Sequence, residues 1–228
     1  MVYAICMLIL LIIAALILFL PKSQEVDYAF AGAPCGSASK EKMKISRYRT
    51  ISKVGNHRID ISKYKLFIAK GHSLELLGIP NGSCLYAQDK ATDDIDITNL
   101  NSLKKVIGHF IILMIDINRT RTEHPNKQLD IEKGFKARKA VDIFPARLNR
   151  QEFNKVMNRL LAEDTICNNK EEMLEESWDK YSFASQYYQK ASHLIVSITF
   201  RQGEKEGYSF HSPNTLFGVV KYKNRNVA

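Results

Sequence analysis

The distribution of apolar positions divides the chain into an apolar N-terminus, a β-rich body and a helical stretch inside that body. Short alternating or continuous apolar runs predict strands, because successive side chains point to opposite faces of a sheet. The run 106–115 is almost continuously apolar, which indicates a strand covered on both faces. A short helix is predicted over 98–105, with Thr98 as its N-cap. The predicted strands are 44–51, 58–61, 66–69, 84–87, 108–118, 129–143, 194–201 and 216–223.

Two helices are predicted between the sixth and seventh of these strands. In the first, apolar residues recur with helical spacing, which gives one apolar stripe. Asn149, followed three residues later by Glu152, is typical of a capping box at its start. The second helix is predicted over about 171–190. The stretch of about 148–190 therefore reads as a helical insertion in a mainly β domain that covers 44–226. The residues of the stripe are Phe153, Val156, Met157, Leu160 and Leu161.

The N-terminal segment 1–20 contains no charged residue and is followed by Pro21. About twenty helical residues span the hydrocarbon core of a bilayer, about 30 Å thick. A cleaved signal peptide would begin with basic residues and have a shorter apolar core. Residues 1–21 are therefore predicted to be a retained transmembrane helix. Because the basic residues follow this helix, the soluble part of a single-pass membrane protein is expected in the cytoplasm.

Residues 22–43 are predicted to be an exposed linker, because the small residues from Ala31 to Ser39 offer little apolar surface to pack. The net charge of +9 is concentrated beyond it, where the stretch 40–70 carries ten Lys or Arg against Glu41 and Asp60. Such a block suits an anionic membrane surface or nucleic acid, or is simply the solvated face of a sheet. The four cysteines have no metal-ligand spacing, so neither a metal nor another cofactor is predicted.

The candidate chemistry lies in a glycine-bracketed turn that follows the strand at 66–69. Ser73 stands in this turn, and a serine hydroxyl needs a neighbouring base to become a nucleophile. His72 is adjacent in sequence and is expected to point away from Ser73, while His109 and His193 are interpreted as structural. Lys136 is the preferred base, since burial can bring the pKa of a lysine towards neutrality. On its strand Lys136 is predicted to face opposite to Phe135 and Ala137, and a solvated lysine is the alternative.

The stretch Gly71-His72-Ser73-Leu74, followed by Leu77-Gly78-Ile79-Pro80-Asn81-Gly82, resembles the nucleophile motif of the LexA/UmuD family of serine-lysine peptidases. The strand after Gly108 and the segments 135–139 and 217–222 resemble further family segments in the same order. The chain departs from the pattern at Leu74, where the family has Met, and at Asn81 and Ser83, where the family has acidic residues. The resemblance covers roughly 30–224, apart from the helical insertion.

The resemblance implies a LexA/signal peptidase-like β fold with Ser73 as nucleophile and Lys136 as base. Backbone N–H groups near Ser73 would hold the oxyanion, supported by Gly71, Leu74, Gly78 and Gly82. No cofactor is implied.

Members of this family cut their own chain at Ala-Gly or Cys-Gly bonds upstream of the serine. This chain offers both, at Ala31–Gly32 and at Cys35–Gly36. The resemblance therefore implies a self-cleaving peptidase, which together with the predicted membrane helix would release its soluble domain from a membrane anchor.

Two alternatives stay open from the sequence. One is a signal-peptidase-like processing enzyme, and the other is a non-catalytic β module that binds a partner or nucleic acid. Partners compatible with the sequence are a membrane, a peptide (including the chain's own linker), nucleic acid and a second copy of the chain.

Overall fold

A computed structural model describes residues 23–32, 41–46, 51–54, 57–60, 63–116, 133–163, 169–201 and 204–222. The predicted membrane helix 1–21 and the Cys35–Gly36 bond lie outside these residues. Within the described ranges no helix is both long enough and apolar enough to cross a bilayer.

The strands of the described residues are β1 (Ser23–Gly32), β2 (Glu41–Ser46), β3 (Ile51–Val54), β4 (His57–Asp60), β5 (Lys65–Lys70), β6 (Cys84–Ala87), β7 (Phe110–Asp116), β8 (Lys133–Pro145), β9 (His193–Arg201), β10 (Glu204–His211) and β11 (Leu216–Tyr222). The helices are α1 (Leu100–Leu103), α2 (Arg150–Ala162) and α3 (Lys170–Tyr187). Short 3-10 turns lie at Glu75–Leu77, Lys104–Val106 and Pro213–Thr215.

The main sheet has the order β10-β9-β8-β7-β11-β6-β5-β1-β2, and β3 pairs with β4 separately. Its pairs are antiparallel except for those that β1 makes with β5 and β8. Because β1 pairs with both strands, the ring β8-β7-β11-β6-β5-β1 closes on itself as a small barrel. The prediction of a mainly antiparallel β protein with a helical insertion is confirmed at this level.

The apolar core is divided between the two faces of the curled sheet. Inside the ring, Phe67 and Ile79 pack with Ile112 and Ala137. Outside it, α1 and the neighbouring loop cover a second cluster around Ile111. The three consecutive residues Ile111 to Leu113 are fully buried, as predicted for a strand covered on both faces.

The helical insertion packs on the β8-β9-β10 end of the sheet. Its cluster combines Phe153 of α2 and Tyr181 of α3 with Phe144 and Phe210 of the sheet. The capping box at the start of α2 is confirmed, because the Asn149 side chain accepts from the Glu152 N–H while the Glu152 side chain accepts from the Asn149 N–H.

Three sequence-based predictions were wrong. The proposed linker contains β1, where Val26, Tyr28 and Phe30 alternate with polar or small residues and give the two-residue period of a strand. The short helix is capped not by Thr98 but by Asn99, whose side chain accepts from the next turn. The third is the omission of β10, which is predominantly polar in its first half and was assigned no element.

Candidate active site

The Ser73 turn follows β5 and is bracketed by backbone conformations that favour glycine. Gly71 has φ +91° and Gly78 has φ +85°, a region that residues with a Cβ rarely adopt. Between them, Leu74 points into the barrel interior and is 5% exposed. Leu74 therefore fills an apolar position, which explains why Leu can stand where the resembling family has Met. Gly82 closes the turn by donating its N–H to the Ala69 carbonyl at 2.8 Å.

The backbone of Ser73 is fixed against β9. Its carbonyl accepts a hydrogen bond from the Phe200 N–H at 2.9 Å. The β8–β9 ladder pairs Lys139 with Ile198, and continuing this register would put Ala137 opposite Phe200. The β8–β9 pairing ends at Lys139 and Ile198, and the Phe200 N–H donates to Ser73 instead. The Ser73 turn therefore lies beside β9, and Leu74 packs in the same apolar cluster as Phe135 and Ala137, the sequence neighbours of Lys136.

Lys136 occupies the face of β8 that the sequence predicted. Phe135 and Ala137 contribute to the barrel interior, whereas Lys136 is half-buried on the other face and pairs with the buried Leu113 of β7. Among the described residues the Ser73 hydroxyl has no hydrogen-bond partner, so it makes no direct hydrogen bond to Lys136. The structure brings the two segments together without closing the dyad. Catalytic hydrogen bonds often tighten only when substrate is bound.

The end of β1 lies at the same place. Ala31 pairs with Ala69 of β5 on one side and with Phe135 of β8 on the other, and Gly32 pairs with Lys70. The Ala31–Gly32 peptide bond is therefore held between the strand that leads to Ser73 and the strand that carries Lys136. The second candidate bond, Cys35–Gly36, lies outside the described residues.

Asn81 and Ser83, the two polar residues that depart from the family motif, both make hydrogen bonds in the turn. The Gly71 N–H donates to the side-chain oxygen of Asn81 at 3.0 Å. The Ser83 hydroxyl donates to the Pro80 carbonyl at 2.6 Å. Neither replacement disrupts the turn, because each side chain has a partner within it.

His72 and Glu75, which flank Ser73 in the turn, contact each other. His72 Nδ1 lies 2.7 Å from Glu75 Oε1. The hydrogen bond to His72 is the main reason that the pKa of Glu75 is lowered, and the backbone N–H of Asn81 makes a smaller contribution. His72 thus contacts Glu75 rather than Ser73, in line with its exclusion as the base.

Sequence reasoning missed His211, which lies on β10 and faces the same side of the sheet as Lys136. Its Nε2 lies 2.9 Å from the hydroxyl of the buried Ser197. Burial, together with the positive charges of Arg138 and Lys136, lowers the pKa of His211 to about 3. The alternation of Tyr208 and Phe210 with polar residues was the available signal for its strand.

The remaining histidines that the sequence analysis weighed have mixed outcomes. His109 is exposed in the turn before β7, so its placement in a buried strand was wrong. His193 opens β9 as predicted and contacts the Ser192 hydroxyl through Nδ1 at 3.0 Å. Within the described residues no group of three or more His, Cys, Asp or Glu side chains could hold a metal ion.

Comparisons of the chain with protein-family models, with curated proteins and with solved structures found no match. The likeness to serine-lysine peptidases therefore rests on the sequence motifs alone.

Proposed function

We propose that the chain is a membrane-anchored serine-lysine peptidase of the LexA/UmuD type that cleaves its own Ala31–Gly32 bond. The observation that carries the proposal is the position of β1, whose end lies between β5, leading to Ser73, and β8, carrying Lys136. An extended peptide held by strand pairing on both edges is a common form of peptide recognition. In this chain the paired peptide is its own.

In the proposed reaction, the Ser73 hydroxyl attacks the Ala31 carbonyl while neutral Lys136 takes its proton. The proton then passes to the Gly32 nitrogen, the C–N bond breaks, and an ester joins Ala31 to Ser73. Water hydrolyses this ester with Lys136 again acting as base. The N–H of Ser73 donates to no other described residue, so it is available for the oxyanion.

The register favours Ala31–Gly32 over Cys35–Gly36. Gly32 is the last residue of β1, and the next position along β8 after the partner of Ala31 is Lys136 itself. Cys35 follows three residues after the end of the strand. A new N-terminus at Gly32 is therefore expected.

The second candidate function is a non-catalytic β module that binds a partner. The observation that favours it is the Ser73 hydroxyl, which has no hydrogen bond to Lys136 among the described residues. In that case β5 and β8 would hold the protein's own strand β1 without the chain being cut.

The deciding experiment incubates the full-length protein in detergent micelles at pH values from 7 to 10 and follows fragments by mass spectrometry. Because the base must be neutral, cleavage is expected to accelerate by about tenfold per pH unit until Lys136 is deprotonated. Ser73→Ala and Lys136→Ala should each slow it by about 10³-fold or more.

Lys139→Ala is the matched control, because Lys139 is also half-buried on β8 but faces the opposite side. This variant should cleave at the rate of the unmodified chain. A stable full-length chain at every pH, or fragments that persist in Ser73→Ala, would contradict the proposal.

A further inference from the structure

We infer that Asn81, Glu75 and His72 act as positioning residues that hold the Ser73 turn in its reactive conformation. The inference rests on the proposed function. These three side chains lie outside the serine-lysine pair. His72 and Glu75 are at the start and in the middle of the turn, and Asn81 is at its far end.

The three side chains link the two ends of the turn through a ring of polar contacts. Asn81 accepts from the Gly71 N–H through its side chain, and its backbone N–H acts on the Glu75 carboxylate as one of the groups that lower its pKa. Glu75 in turn contacts His72 Nδ1 at 2.7 Å. The ring therefore runs from Gly71, two residues before Ser73, to Glu75, two residues after it.

This ring constrains the backbone where the chain enters the Ser73 turn. Behind the turn, the Ser73 carbonyl is held by Phe200 and the Leu74 side chain is buried in the barrel. The His72 carbonyl accepts from the Glu75 N–H at 3.1 Å. The chain at Gly71 is different, because this glycine adopts a conformation that it reaches at little cost and can leave as easily. Its N–H is held by Asn81, which fixes the direction in which the chain enters Ser73.

The exposure of the His72 and Glu75 side chains distinguishes a positioning role from a purely structural one. The His72 and Glu75 side chains are 65% and 43% exposed. Hydrogen bonds and ion pairs at such positions contribute little to the stability of a protein. Removing the ring should therefore leave the fold intact and change mainly the geometry of Ser73, where a displacement of about 1 Å can cost about 10²-fold in rate.

The test compares Asn81→Leu, which removes the acceptor, with Asn81→Asp, which retains a side-chain oxygen for the Gly71 N–H. Asn158→Leu is the matched control, because Asn158 is an exposed asparagine on α2. The first readout is the self-cleavage rate of the full-length protein in micelles. The second is hydrogen exchange of the Gly71 amide, followed by NMR, which does not depend on catalysis.

We expect Asn81→Leu to cleave about 10- to 100-fold more slowly, to exchange the Gly71 amide faster and to keep its melting temperature within about 2 °C. Asn81→Asp and Asn158→Leu should behave like the unmodified protein. Glu75→Ala and His72→Ala should each reproduce a smaller part of the Asn81→Leu effect.

The inference is overturned if Asn81→Leu cleaves at the normal rate, or if its Gly71 amide exchanges as slowly as before. If the unmodified protein does not cleave at all, the proposed function fails, and the Gly71 exchange alone then decides whether the ring holds the turn.

Discussion

His211 shows what a single partly buried ionisable side chain does to the stability of this fold. The imidazole projects from β10, hydrogen-bonds to Ser197 of β9 and is close to the cationic side chains of Arg138 and Lys136. Its pKa falls from the ordinary 6.5 to about 3, so the folded protein keeps it neutral where the unfolded chain would protonate it. The unfolded state then binds more protons than the folded state, and stability depends on pH.

The sign of this dependence gives a testable prediction. The contribution of His211 is fully present above pH 6.5 and is lost as the pH falls towards 3, up to a total on the order of 5 kcal/mol. His211→Gln cannot be protonated, so its free energy of unfolding should fall less between pH 7 and pH 4. Urea unfolding at intervals of one pH unit measures the slope.

His109→Gln is the control, since His109 is exposed. It should follow the pH profile of the unmodified protein. Equal slopes for His211→Gln and the unmodified protein would mean that His211 is solvated in the folded state.

The packing of β11, the last strand of the described residues, depends on one close approach between its backbone and the backbone after β6. At Gly218 an added Cβ would overlap the carbonyl oxygen of Gln88, just beyond β6. No side-chain rotation can relieve this overlap, because both atoms belong to, or are fixed by, the backbone. The glycine in the Phe217-Gly218-Val219-Val220 segment is thus required by packing between β6 and β11, whatever the chemistry of the site.

Gly218→Ala is accordingly expected to destabilise the protein by several kcal/mol, at the upper end of single substitutions, at about 4 kcal/mol. Gly108→Ala provides the comparison, because Gly108 has φ +82° but open space around it. The free energy of unfolding of Gly108→Ala should fall only by about 1–2 kcal/mol, the cost of placing a residue with a Cβ at positive φ. Chemical denaturation of both variants compares the two costs, and equal losses would refute the packing argument.

These elements also show how far the sequence could predict the fold. β5, β6 and α2 were predictable, because their apolar period or capping residues are local signals. β1 and β10 were missed since they carry polar or small residues on one face and gain their stability from neighbours that are distant in sequence. The same reason limits the site: the motifs indicate Ser73 and Lys136, but only the hydrogen bond between Phe200 and Ser73 puts the turn beside β9, the neighbour of β8. No local pattern predicts such a contact.

The closure of the barrel by β1 links the architecture of the whole chain to its proposed reaction. β1 pairs with β2 along six positions, with β5 along five, and with β8 at Ala31. The strand that would be cut is therefore also the strand that completes the ring. The sequence-based expectation that cutting releases the soluble domain treated this segment as an unpaired linker, which it is not.

Hydrolysis at Ala31–Gly32 would turn this strand from a part of the chain into a tightly held peptide ligand. The fragment that ends at Ala31 keeps its pairing partners, and only its covalent tether to the next residue is lost. Native size-exclusion chromatography after cleavage should show both fragments in one peak, while 6 M urea should separate them. Immediate separation under native conditions would contradict the pairing.

Detachment from the membrane would then be governed by a dissociation constant rather than by the chemistry of the cut. A competing extended peptide, or a second copy of the strand, could shift that equilibrium by mass action. The nicked protein would be a stable intermediate whose lifetime is set by how fast one strand leaves a closed sheet.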